Sequence, residues 1–134
     1  MPIVVQALNA ANYQDQEDLR KIYRDAPDGL FAPFSGENDL IDSALAEGRF
    51  IAGRFNDRLL GAACLQRHQD VWYLSHLCVR KVTRRRGVAE RLVNQAQKMA
   101  SQAGAELRLL APAGHPEAQA IAAKLHVPLE VLET

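Results

Sequence analysis

The 134-residue chain is predicted to fold as a mixed α/β sandwich, with about six strands flanked by about four helices. Three observations carry this. "DVWYLSHLCVR" is a long run, apolar on both faces, as a strand in the middle of a sheet would be. The longest helical stripe in the chain follows it, and then another strand, so the three form a βαβ unit with a right-handed crossover. Upstream, "RFIAGRF-ND-RLLGAACLQ" reads as a β-hairpin turning at Asn56-Asp57, because Asn and Asp tolerate the positive φ of tight hairpin turns.

Taken in order, "IVVQAL" (Ile3 to Leu8) is rich in β-branched residues and reads as a first strand. In "NYQDQEDLRKIYRDAP", Leu19, Ile22 and Tyr23 fall at helical spacing, acids precede bases, and Pro27 ends the helix. "DGLFAPFSGEN" is a loop; its Phe31 and Phe34, with Tyr23, fit a core, a lid or a substrate cleft equally well. "DLIDSALAEG" is a second short helix stopped by Gly48. After the hairpin and the central strand, a helix is expected from Arg86 to Ala103, with Val88, Leu92, Val93, Ala96, Met99, Ala100 and Ala103 on one stripe and Gly104 as its stop. "AELRLLAP" is a strand, "HPEAQAIAAKL" a last helix with Pro116 early in it, and "VPLEVLE" a short final strand. The order is β-α-α-β-β-β-α-β-α-β.

The length fits one domain, 1–134, and nearly half of the residues are apolar, enough for a core without disulfides or metals. Sixteen basic residues balance sixteen acidic ones, which argues against a general nucleic-acid binder. Cys64 and Cys78 lack the spacing of a zinc site or a disulfide framework, and they read as reduced thiols of a cytoplasmic protein. The N-terminus has neither the length nor the charge of a signal peptide, and no run is long and apolar enough for a membrane span.

Against this neutral background stands "VRKVTRRRGVAERLV", with five arginines and a lysine between Val79 and Arg91. Cations at a helix start oppose the helix dipole, at about 0.3–1 kcal/mol each. A phosphate would reverse that sign. It would accept from the unpaired amides of the first turn and from the guanidinium forks, and Gly87 would let the backbone approach it. A solvated basic patch and a nucleic-acid contact are the other readings of the run. The second suits a flexible or uniformly basic segment better than one wedged between a core strand and a core helix.

Arg84-x-x-Gly87-x-Ala89, set between central strand and long helix, resembles the coenzyme-A loop of the GNAT acetyltransferase superfamily, R/Q-x-x-G-x-G/A. The order of elements is also similar along most of the chain. The resemblance implies a sheet whose central strands splay around acetyl-CoA (or CoA). It puts the pantetheine arm beside Leu77, Cys78 and Val79. The pyrophosphate falls on Thr83, Arg84, Arg85, Arg86, Gly87, Val88, Ala89 and Glu90.

"DQEDLRKIY" and "RFNDRLL…LCVRKVTRRRGVAERL" are similar to one branch, the PanZ (or PanM) maturation factors of aspartate 1-decarboxylase. This implies a CoA-sensing partner of the decarboxylase zymogen in pantothenate synthesis, with Arg54 and Asn56 as candidate partner contacts. From the residues alone, Asn56 makes a turn and Arg54 is an exposed strand residue. The C-terminal third departs from the branch: no Gly-Phe pair follows the last helix, and Ala89 replaces a glycine.

The other reading is a working N-acetyltransferase for an unidentified amine, which needs a base and an acid. The last helix carries no Tyr, Ser or Cys, and the central strand offers Ser75 and His76. His76 is the candidate base, by its near-neutral pKa. No metal site is expected, and Cys78 is read as core. One short strand after Val127 is expected to leave a sheet edge open to a partner strand or to a second copy in a homodimer.

Overall fold

The computed structural model describes residues 3–8, 12–24, 36–80, 87–111 and 116–131. Its elements follow the expected order: β1 (Val4–Ala7), α1 (Tyr13–Arg24), α2 (Glu37–Ala46), β2 (Phe50–Phe55), β3 (Arg58–His68), β4 (Val71–Val79), α3 (Val88–Gln102), β5 (Glu106–Ala111), α4 (Pro116–Leu125) and β6 (Leu129–Val131). The strands lie in one sheet in chain order. Neighbours are antiparallel from β1 to β4, and β4, β5 and β6 are parallel. Parallel neighbours need a crossover, which α3 and α4 supply.

The helices cover opposite faces. On one face, α1 and α2 bury Leu19, Ile22, Tyr23, Leu40 and Ile41 against Phe50, Ala52, Leu59, Ala62 and Cys64. On the other, α3 buries Leu92, Val93, Ala96 and Ala100 against Ile51, Ala63, Leu65, Leu74 and Leu109. The residues of β3 alternate between the two cores, Ala62 and Cys64 to one and Ala63 and Leu65 to the other, as a two-residue period requires. Asn12 caps α1: its side-chain oxygen accepts from the Asp15 N–H at 2.8 Å.

Two local features differ from the sequence expectation. The long helix begins at Val88, with Gly87 as its N-cap in the left-handed region (φ 78°). The central strand is interrupted. Cys64 pairs with Ser75 and Ala62 with Cys78, so His76 and Leu77 oppose Ala63 alone. This is a β-bulge, and His76 sits in it at φ 55°. Among the described residues, no helix is long and apolar enough to cross a membrane.

Candidate functional site

The bulge resets the facing of β4. Before it, Trp72 and Leu74 face the α3 core; after it, Leu77 and Val79 do, and Cys78 turns to the α1 side. One extra residue has flipped the parity of the strand. Two buried groups hold the bulge. The Tyr23 hydroxyl donates to the His76 carbonyl at 2.7 Å, and Ser75 Oγ lies 2.9 Å from His76 Nδ1. Burial pushes the Tyr23 phenol well above its ordinary value, with the nearby Cys64 and Cys78 adding to the shift, so it stays a donor.

At the same level the sheet opens. β4 is paired to β5 from Val71 to Leu74, against Glu106 to Leu109. Past Leu109 the ladder to β4 stops, while the other edge of β5 stays paired to β6 from Leu109 to Ala111. Leu74–Leu109 is thus the last β4–β5 pair among the described residues, and a narrow cleft open to solvent lies between the two strands beyond it. β4 lines it with Leu74, Leu77, Cys78 and Val79, and β5 with Leu109, Leu110 and Ala111. Ala89 of α3 and Ala118 and Ile121 of α4 close the helix side. The cleft reaches the last β4–β5 pair, Leu74–Leu109, and is lined on β4 as far as Val79, the end of the strand.

That start is seated by two glycines. A Cβ at Gly61 would lie 2.8 Å from Val88 Cγ1 and 3.1 Å from Val79 Cγ2, and one at Gly53 would lie 3.4 Å from Val88 Cγ1. Val88 thus packs into a hollow over β2 and β3 that side chains would fill. Gly87 itself is exposed, with open space where a Cβ would be, so its left-handed φ is what calls for glycine. The first-turn amides of α3, from Val88 to Glu90, precede the first helical bond, Arg91 N–H to the Gly87 carbonyl at 3.0 Å. Among the described residues no side chain caps them.

The predicted residues distribute as follows. Leu77, Cys78 and Val79 lie along the cleft, with Ala89 at its helix side and Gly87, Val88 and Glu90 at the adjoining helix start. Thr83, Arg84, Arg85 and Arg86 lie outside the described residues, as do Phe31 and Phe34. Glu90 is engaged through its carboxylate by Lys124 Nζ at 3.1 Å, which ties α3 to α4. The Cys78 thiol donates to the Ile22 carbonyl at 3.3 Å, away from the helix side of the cleft. Burial pushes the Cys64 thiol up to about 12, with Arg49 opposing and Glu47 reinforcing the shift. His76 is 3% exposed, in the bulge and not among the cleft-lining residues. Arg91 is spoken for, since its Nη2 donates to the Ile3 carbonyl at 2.7 Å.

The other candidate region is the β2–β3 hairpin. Asn56 (φ 49°) and Asp57 (φ 66°) form its two-residue turn between the paired Phe55 and Arg58. Asn56 is exposed. Arg54 is not simply an exposed strand residue. Its Nη2 donates to Asp15 Oδ2 at 3.0 Å and its Nη1 to the Asp57 carbonyl at 3.1 Å. Nη1 also stands 3.0 Å from Asp15 Oδ1, an ion-pair contact without hydrogen-bond geometry. Next to it, Arg58 reaches Asp18 through Nη2 (2.7 Å) and Nε (3.1 Å), while the Leu59 N–H and Gln14 Nε2 complete the carboxylate at 3.0 Å each. Burial alone would raise the Asp18 carboxyl. The Arg58, Leu59 and Gln14 hydrogen bonds outweigh it and hold the group below its ordinary value. This double clamp of hairpin to α1 joins residues about 40 apart in sequence, and sequence reading missed it.

Comparison with known proteins decides the family. Residues 2–129 match the acetyltransferase (GNAT) domain of the PanZ family. The chain belongs to the PanZ family. It is 35% identical over 95 residues to the PanD regulatory factor of Salmonella typhimurium, a match covering 71% of this chain and 66% of that protein. The chain thus spans just under two thirds of that relative. Among solved structures, the PaiA N-acetyltransferase of Thermoplasma acidophilum, in complex with coenzyme A, superposes at a TM-score of 0.71 with 17% identity, over 93% of this chain and 89% of that one. The ribosomal-protein-S18-alanine N-acetyltransferase of Escherichia coli does so at 0.69 with 19% identity, over 92% and 76%. These confirm the GNAT fold of this PanZ-family chain.

Proposed function

We propose that the chain binds acetyl-CoA in the β4–β5 cleft and, so loaded, promotes self-cleavage of the aspartate 1-decarboxylase zymogen. The observation that carries the first half is the alignment of the cleft with the Gly87 helix start. An extended apolar arm fits beside Leu77–Val79, and an anionic group at its end meets the first-turn amides of α3. Arg84, Arg85 and Arg86 precede those amides in sequence and supply the guanidinium partners. The similarity to a PanD regulatory factor supports the second half.

The hairpin tip is the proposed contact for the decarboxylase. Within it the two residues divide the work: Arg54, already engaged by Asp15 and Asp57, holds the turn, and exposed Asn56 faces the partner. Amine acetylation is the second reading. The buried, bulge-bound position of His76 and the aliphatic cleft walls favour it less.

The test is to incubate the host's uncleaved decarboxylase with the protein, with and without acetyl-CoA, and follow the cleavage fragments and free thiol. Faster cleavage with acetyl-CoA and no thiol release is expected. Unchanged cleavage with thiol release in the presence of an amine would make the protein an acetyltransferase instead.

A further inference from the structure

We propose that the cleft selects CoA thioesters by the charge of the acyl group: short neutral acyl chains enter, and chains ending in a carboxylate are rejected. This rests on the acetyl-CoA reading above and specifies the ligand class of the same site.

Three observations lead to it. The first is direction. The proposed anion end lies at the uncapped start of α3, and the cleft is closed off at its other end by the paired Leu74 and Leu109. A thioester anchored by its diphosphate therefore enters with its acyl end foremost. Val79 and Leu74 are five residues apart, on the order of 15 Å along a strand. The second is lining. Leu74 and Leu109 stand at the last paired position, and with Leu77 and Ile121 they give the cleft aliphatic walls. Ala111 and Ala118 also line the cleft, and both are buried. The third is the orientation of the nearest polar groups. The Cys78 thiol is directed to the Ile22 carbonyl, and the His76 ring lies against Ser75 Oγ.

A methyl or ethyl group at that end gains from leaving water. A carboxylate there loses its hydration and meets hydrocarbon, and an ionised group without a partner is far costlier to bury than a neutral polar one. On α4 and β5, Lys124 is committed to Glu90, and Arg108 to Glu106 and Glu130. The effector of the protein is then the pool of acetyl-type thioesters, and dicarboxylic thioesters do not substitute.

Matched pairs separate charge from length. The intact protein is titrated calorimetrically with acetyl-, propionyl- and malonyl-CoA, and with butyryl- and succinyl-CoA. Malonyl- and succinyl-CoA are expected to bind at least about thirtyfold more weakly than propionyl- and butyryl-CoA respectively. A smaller ratio, with acetyl-CoA binding intact, overturns the charge selection and leaves the acetyl-CoA reading standing. Failure of acetyl-CoA itself to bind overturns both.

Discussion

The hairpin tip and the β4–β5 cleft both depart from regular sheet, and both do so through residues at positive φ: Asn56 and Asp57 in one, His76 and Gly87 in the other. Their treatment of charge is opposite. At the hairpin, two arginines pair with two buried aspartates across the α1–sheet boundary. In the cleft the described walls are apolar, and the basic run directly precedes, in sequence, the helix start beside it. Paired charge ties the hairpin to α1 there, whereas an apolar slot beside an uncapped helix start is suited to a ligand that has both an apolar arm and an anionic end.

The sharpest way to break this contrast is at Gly87. Gly87→Asp imposes a left-handed backbone on a residue with a Cβ and sets a carboxylate at the anion site; together these are expected to weaken acetyl-CoA binding by a factor of about 100 or more. Calorimetry reads this directly, and normal affinity would remove the helix start from the site. Next in size is Gly61→Ala. Its Cβ would meet Val88 and Val79, so about 1–3 kcal/mol of stability should be lost in urea unfolding. Acetyl-CoA affinity should fall with it, because the same hollow seats α3. A loss of stability with unchanged affinity would uncouple the two.

At the hairpin, Asp18→Ala strands the buried Leu59 N–H and should cost about 1–3 kcal/mol with little change in acetyl-CoA affinity. The acid limb of stability has the same origin. Asp18 titrates below its ordinary value of 3.8 in the folded state, so its contribution is present above that pH and is lost as pH falls through the lower folded value. Asp18→Asn should flatten that limb. Cys64 acts in the opposite sense: its folded value of about 12 exceeds the ordinary 9.0, so its contribution is present below pH 9 and is lost as pH rises toward 12. Smallest for stability is Asn56→Gly, which keeps the positive φ and should shift unfolding by no more than about 0.5 kcal/mol. Activation of decarboxylase cleavage should nonetheless drop. Full activation would make Asn56 a turn residue only.

Much of this architecture was legible in the chain. The order of elements, the ND turn and the glycine stops of the helices all follow from local pattern, because each is fixed by residues within a few positions of one another. The bulge is not of that kind. His76 takes a conformation that glycine usually signals, and it is held there by the hydroxyl of Tyr23, 53 residues away. The seat of Val88 on Gly53 and Gly61 is equally non-local, since either glycine read alone is only a weak spot in a strand. Arg54 was read as exposed for the same reason: its partner Asp15 lies 39 residues upstream, on a helix whose packing angle no spacing reveals.

The most direct test of the central assignment, that the arm of acetyl-CoA lies along the second half of β4, is amide chemical-shift mapping on the intact protein during titration with acetyl-CoA. The largest shifts are expected at Leu77, Cys78, Val79 and from Gly87 to Glu90. Shifts confined elsewhere, for example to the polar groove that Arg91, Asn94 and Lys98 form with Ile3 and Val5, would contradict it.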